Sequence, residues 1–315
     1  MTTRSPAAAP TNRCPFCGSS GRLTKEHVWP QWLRAKGPAY GLWAPHFQGQ
    51  RLSGSVTQAV TNEQGVVEYI PTAGPAAGEF LATVTVKVCG GCNRQWNERL
   101  EKPVQQLLGP VFNGGTTSLT PTDRRVLARW AVKCFVVYAR ATTAAEVDPF
   151  PESERRRQVK PSADPNNRWD VWIGWSPEAA AAHMALSVRP AAFPHRDDDL
   201  SEPPPHNTAN CWMGANGVVV IGFWRPAALP RECTDLFIPK ELRECLTRLW
   251  PTEDETVTVW PERQLPDDAW DQIHHRMSGV LEVVGLPEQG LTADQRQRAA
   301  NAFFDGAHAW ELRSS

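Results

Sequence analysis

Between residues 80 and 88 the chain reads FLATVTVKV. Phe80, Ala82, Val84, Val86 and Val88 fall on one side of an extended backbone, and Thr83, Thr85 and Lys87 on the other. A period of two predicts a half-buried β-strand. Directly after it the period lengthens. Trp96, Leu100, Val104, Leu107 and Leu108 recur at three to four, which predicts a helix with one apolar face, interrupted at Pro103. A second helix is predicted over 120–142, opened by a Thr/Asp cap signal and apolar at 127, 130, 131, 134, 135 and 138. The segment 152–158, ESERRRQ, reads as a charged loop or helix end.

From 169 the pattern turns to β. WDVWIGW (169–175), HMALSV (183–188), NCWMGA (210–215) and GVVVIGFW (217–224) are predicted strands. The last two are joined at Asn216-Gly217, a type I′ hairpin signal. Helices are predicted over 236–249 and 292–312. Residues 1–12 are Ala/Pro/Thr-rich and predict disorder. Residues 37–77, rich in Gly, Pro, Gln and Thr, predict a long irregular insertion with a hairpin near 61–65. Pro30 can open a short helix over Gln31–Ala35. The fold class expected is α+β: an N-terminal unit over 13–118, then an accessory α+β region over 119–315. Fourteen tryptophans are unusual; those at 169, 172, 175, 212 and 224 read as core, with a base-stacking platform as the lesser reading.

Composition changes this picture little, but charge placement does. The 315 residues carry a net charge of −1. Residues 1–60 nevertheless hold seven Lys/Arg (Arg4, Arg13, Arg22, Lys25, Arg34, Lys36, Arg51) against one acid, Glu26. Residues 230–315 hold nine basic and sixteen acidic residues. The N-terminal end is therefore the expected face for a phosphate-bearing partner. No apolar h-region opens the chain, and no run approaches the roughly 18 apolar residues of a membrane span. The expectation is a cytoplasmic protein with no membrane partner. The sequence leaves its oligomeric state open.

Two cysteine pairs carry the clearest chemistry. Cys14 and Cys17 stand in CPFCG, and Cys89 and Cys92 in VCGGCN. In a reducing compartment, paired C-x2-C motifs favour a metal over disulfides, and four thiolates close a tetrahedral Zn²⁺ site. The remaining cysteines (Cys134, Cys211, Cys233, Cys245) read as small buried apolar residues. Between the pairs lies LTKEHVWPQWL, with Glu26 and His27. After the second pair comes NRQWNERLE, in which Asn93 and Asn97 are one helical turn apart and share a face.

Taken together, CPFCG…LTKEHVWPQWL…VCGGCNRQWNERLE resembles the HNH family of endonucleases, in a branch with a zinc-stapled ββα-metal core. The resemblance covers residues 14–33 and 80–101. It implies metal-dependent hydrolysis of nucleic-acid phosphodiester bonds, DNA before RNA. It implies His27 as general base, Glu26 as ligand of a catalytic Mg²⁺ or Mn²⁺, and Asn93 and Asn97 as further ligands from the helix. The family's middle asparagine has no counterpart in ATVTVKV; Asn62, in the insertion, could substitute for it. Bare chemistry points the same way, since one carboxylate and two carboxamides suit a hard cation and a histidine titrates near neutrality. The alternative is a non-catalytic, zinc-dependent nucleic-acid-binding or scaffold protein with a degenerate site.

Overall fold

Strand β1 (Leu23–His27) pairs antiparallel with β4 (Thr85–Cys89), and β4 runs into helix α1 (Gly90–Trp96). This computed structural model describes residues 13–28, 32, 56–61, 67–72, 85–112, 114–142, 149–160, 163–176, 185–191, 208–215, 217–225, 231, 238, 240–252, 255–266 and 269. The expectations for residues 1–12, Asn62 and 292–312, and for Gln31–Ala35 apart from Trp32, lie outside them. Within the insertion, β2 (Val56–Thr61) pairs antiparallel with β3 (Val67–Thr72), on either side of the turn predicted at 61–65.

The predicted helix after Cys92 begins earlier, at Gly90. Cys89 is its N-cap: its backbone is extended and its Sγ accepts from the Cys92 N–H. The interruption expected at Pro103 takes the form of a π-helical turn over Asn97–Glu101, after which α2 (Lys102–Phe112) continues. Proline lacks an N–H and crowds the carbonyl four residues back, so the helix widens just before it. The Lys102 N–H accordingly reaches back to the Asn97 carbonyl.

Helix α3 (Pro121–Thr142) follows β5 (Thr117–Leu119). It opens with a reciprocal cap. The Asp123 N–H donates to Thr120 Oγ1 at 3.1 Å, and the Thr120 N–H donates to Asp123 Oδ2 at 2.9 Å. Sequence periodicity marks one apolar stripe on α3, yet Ala128, Val132, Val136, Val137 and Ala139 are buried as well. The helix is enclosed because it is shared: it touches β4, β5, the π turn and α2, and also four strands of a second sheet.

That second set of strands is an antiparallel sheet of five, ordered β10-β6-β9-β8-β7. Its members are β6 (Trp169–Trp175), β7 (Ala185–Ala191), β8 (Thr208–Ala215), β9 (Val218–Trp224) and β10 (Thr247–Trp250). The β8–β9 register ends at Ala215↔Val218, and Gly217 takes a φ of +85° in the two-residue loop between them. This is the backbone that the Asn-Gly signal asks for. Pro190, lacking a donor, sits on the edge strand β7.

The helix expected over 236–249 is a correction. Among the described residues of that stretch only a short α5 (Lys240–Arg243) is helical, and Thr247–Trp250 instead adds to the edge of β6. The edge supplies backbone partners that a helix would have to supply itself. A short α4 (Glu152–Arg157) leads into the sheet, and β11 (Thr258–Trp260) pairs with β5. Trp169, Trp172, Trp212 and Trp224 are buried, which makes them core rather than a stacking surface.

Gly222 on β9 faces α3 closely: a Cβ there would stand 2.6 Å from Phe135 Cε2. Gly222→Val is expected to lower unfolding stability by about 1–3 kcal/mol through overpacking. Urea denaturation would read this as a lower midpoint.

Candidate metal centre and the polar cluster beneath it

The first knuckle is a tight turn. The Gly18 N–H bonds the Cys14 carbonyl, the Cys14 N–H bonds the Ser19 carbonyl, each at 2.9 Å, and Gly18 adopts a φ of +77°. The second knuckle is the β4–α1 junction. Together they bring four sulfurs within 4.8 Å of one another. Cys14 Sγ lies 3.9 Å from Cys92 Sγ, and Cys17 Sγ lies 3.5 Å from Cys89 Sγ. Four sulfurs at about 2.3 Å from a tetrahedral Zn²⁺ are about 3.8 Å apart, whereas a disulfide needs about 2.05 Å. The four cysteines therefore lie where they could hold a metal ion such as zinc.

Burial pushes the Cys89 and Cys92 thiols up, and for Cys92 the neighbouring sulfurs add to the rise. Burial acts the same way on Cys17, but hydrogen bonds with Ser19, Cys89 and Cys92 outweigh it and bring its pKa down to about 6. Metal ligation would therefore expel protons from the raised Cys89 and Cys92 thiols. Phe16, fully buried, meets Trp96 edge to face at 5.0 Å, and the Trp96 Nε1–H donates to the Gln158 carbonyl at 2.8 Å.

Glu26 and His27, adjacent on β1, take opposite faces by strand alternation. Glu26 is 5% exposed. Its Oε1 accepts from Lys133 Nζ at 2.5 Å, and Lys133, wholly buried on α3, also donates to Glu101 Oε1 at 2.9 Å. The ammonium stands 5.3 Å from the Trp96 ring centroid. Burial pulls Lys133 down, but Glu101 and Glu26 outweigh it and hold it charged, above the ordinary lysine range. Burial raises the Glu26 carboxyl, against the opposing pull of Lys133 and a smaller one from His27. Two carboxylates and one ammonium leave this cluster one negative charge in excess.

Asn93 docks on the hairpin. Its Nδ2 donates to Thr24 Oγ1 at 3.1 Å and to the Lys25 carbonyl at 3.2 Å. Asn97 is exposed within the π turn. The structure thus brings Asn93 against β1, commits one oxygen of Glu26 to Lys133, and leaves Asn97 at the surface. Sequence reasoning did not single out Lys133 or Glu101. The available signal was a lone lysine inside the apolar run WAVKCFVV, which marks a buried charge in need of partners.

Among the described residues no helix is long and apolar enough to cross a membrane. Compared with models of protein families, with curated proteins and with solved structures, the chain finds no match in any of the three.

Proposed function

We propose that this chain is a metal-dependent nuclease of the HNH type, hydrolysing phosphodiester bonds of DNA in preference to RNA. The observation that carries the reading is the order strand, strand, helix across a four-cysteine cluster, with His27 at the end of β1 and Asn93 of α1 bonded to the same strand. The four cysteines would hold Zn²⁺ as a staple, too saturated with thiolates to bind substrate.

His27 is the base that takes the proton of an attacking water; as the last residue of β1 its ring has to meet the cation side round the strand end, since Glu26 lies on the opposite face. Lys133 fixes the Glu26 carboxylate by one oxygen. The oxygens left for a hard cation are Glu26 Oε2 and Asn93 Oδ1, and the excess negative charge of the Glu26–Lys133–Glu101 cluster fits a cation beside it. Mg²⁺ or Mn²⁺ held there would stabilise charge developing on the scissile phosphate.

The test is cleavage of supercoiled plasmid, single-stranded DNA and RNA with Mg²⁺ or Mn²⁺. His27→Ala is expected to slow cleavage by about 10²- to 10⁴-fold at unchanged zinc content. Full activity in that variant overturns the role of His27.

A second reading has its own observation. Glu26 is already paired with Lys133, and Asn93 is already bonded to β1. A zinc-stapled nucleic-acid-binding module without chemistry needs no more than that. Binding without cleavage of any of these substrates, with either cation, selects it.

A further inference from the structure

In the β1–β4 register Lys25 stands directly opposite Lys87. Both side chains are exposed. Cβ atoms in such a pair are about 4.5–5.5 Å apart, and like charges there destabilise a sheet. Antiparallel strands usually place an opposite charge or a neutral partner in this position. Here nothing nearby in sequence offsets the pair. Glu26 is the only acid in residues 1–60, it lies on the other face, and it is held by Lys133. Residues 80–92 contain no acid at all. Among the described residues neither lysine forms an ion pair.

Alternation puts Lys25, Lys87 and His27 on one face of the hairpin. The Lys25 backbone is also anchored, because its carbonyl accepts from Asn93 Nδ2. Exposed Arg22 precedes the strand.

We infer that Lys25 and Lys87 form a paired contact for the nucleic-acid phosphodiester backbone, beside His27. Two ammonium groups on a rigid two-stranded ribbon match the negative charge and close spacing of phosphates along a strand. The contact deepens the nuclease reading by naming how substrate is held on the His27 face. It rests on that reading only for the neighbouring chemistry.

The experiment measures binding of a fluorescein-labelled DNA duplex to the zinc-loaded full chain, without added Mg²⁺ or Mn²⁺, over a salt series. Each of Lys25→Gln and Lys87→Gln is expected to flatten the slope of log K against log salt by about 0.9, and to weaken binding roughly 3- to 10-fold at low salt. Lys25→Arg and Lys87→Arg are expected to keep the slope. Neither Gln variant should lose thermal stability, since each relieves a repulsion. Unchanged slopes, or a wild-type chain that does not retain the duplex, overturn the paired contact. Unchanged slopes together with His27-dependent cleavage leave hydrolysis standing without it. Flattened slopes in a protein that cleaves nothing leave the contact standing and remove the nuclease reading.

Discussion

Cys92→Ser is expected to abolish zinc retention and to unfold the β1–β4–α1 unit. The sulfur is almost wholly buried and lies 3.9 Å from that of Cys14, so no surface group or solvent can replace it. Structural zinc contributes about 10–16 kcal/mol of apparent binding free energy, and a whole domain is stable by about 5–15 kcal/mol. Loss of the ion therefore exceeds what packing around Phe16 and Trp96 can offset. Chelation should reproduce the effect in the unaltered protein. Zinc content by mass spectrometry, with hydrogen exchange over residues 23–27 and 85–101, provides the check. Cys211→Ala is the control: that thiol is buried in the five-stranded sheet and should keep a full complement of metal. Full zinc in Cys92→Ser would remove the cluster as a metal site.

The second large effect is at Lys133. Lys133→Met keeps an unbranched apolar stem out to the Cε position but removes the ammonium, which strands Glu26 and Glu101. Removing one partner of a buried ion pair costs about 3–5 kcal/mol, most of it from the charge left behind. Two carboxylates share this ammonium, so the upper end of that range is expected. The sign of the pH dependence follows. Burial already raises the Glu26 carboxyl, and without the opposing pull of Lys133 it stands further above the unfolded value of about 4.3. Such groups favour the fold while protonated and lose that contribution as pH rises through the folded pKa. The deficit of Lys133→Met relative to wild type should therefore be largest at alkaline pH and shrink as the pH falls toward the unfolded value of about 4.3. Adding Glu26→Gln should recover part of it. Equal midpoints for Lys133→Met and wild type across that range would mean the cluster is not an interacting unit.

How much of this was legible beforehand depends on the range of the interaction. The β-branched and aromatic residues of WDVWIGW and GVVVIGFW named two neighbouring strands of the sheet, because strand propensity is local, and both strands are buried along almost their whole length. Asn216-Gly217 named their partner's turn for the same local reason. The cysteine spacing marked two knuckles, although their meeting spans 72 residues, because chelation chemistry restricts what such pairs do. Helix periodicity over 236–249 failed at Thr247–Trp250, where an open sheet edge decided the conformation and no local pattern records such an edge. The Glu26 partner was hidden most deeply. Lys133 is 107 positions away, and a lysine in an apolar run announces burial without saying which acid meets it. Glu26 could thus be read as a ligand while its principal neighbour stayed out of view.

The π turn at Asn97–Glu101 has a consequence for how this segment tolerates change. A π turn carries one residue more than an α turn, so it acts as an insertion absorbed in place. Deleting one residue among 97–99 would restore an α turn and rotate everything before it by about 100° relative to α2. Cys92, Asn93 and Trp96 would then swing away from the first knuckle, from β1 and from Gln158, although none of them had been altered. A search for shorter versions of the protein should find many positions more forgiving than these three, and the surplus residue works as a phase-setting spacer between the metal end of the helix and its buried Val104–Leu108 end.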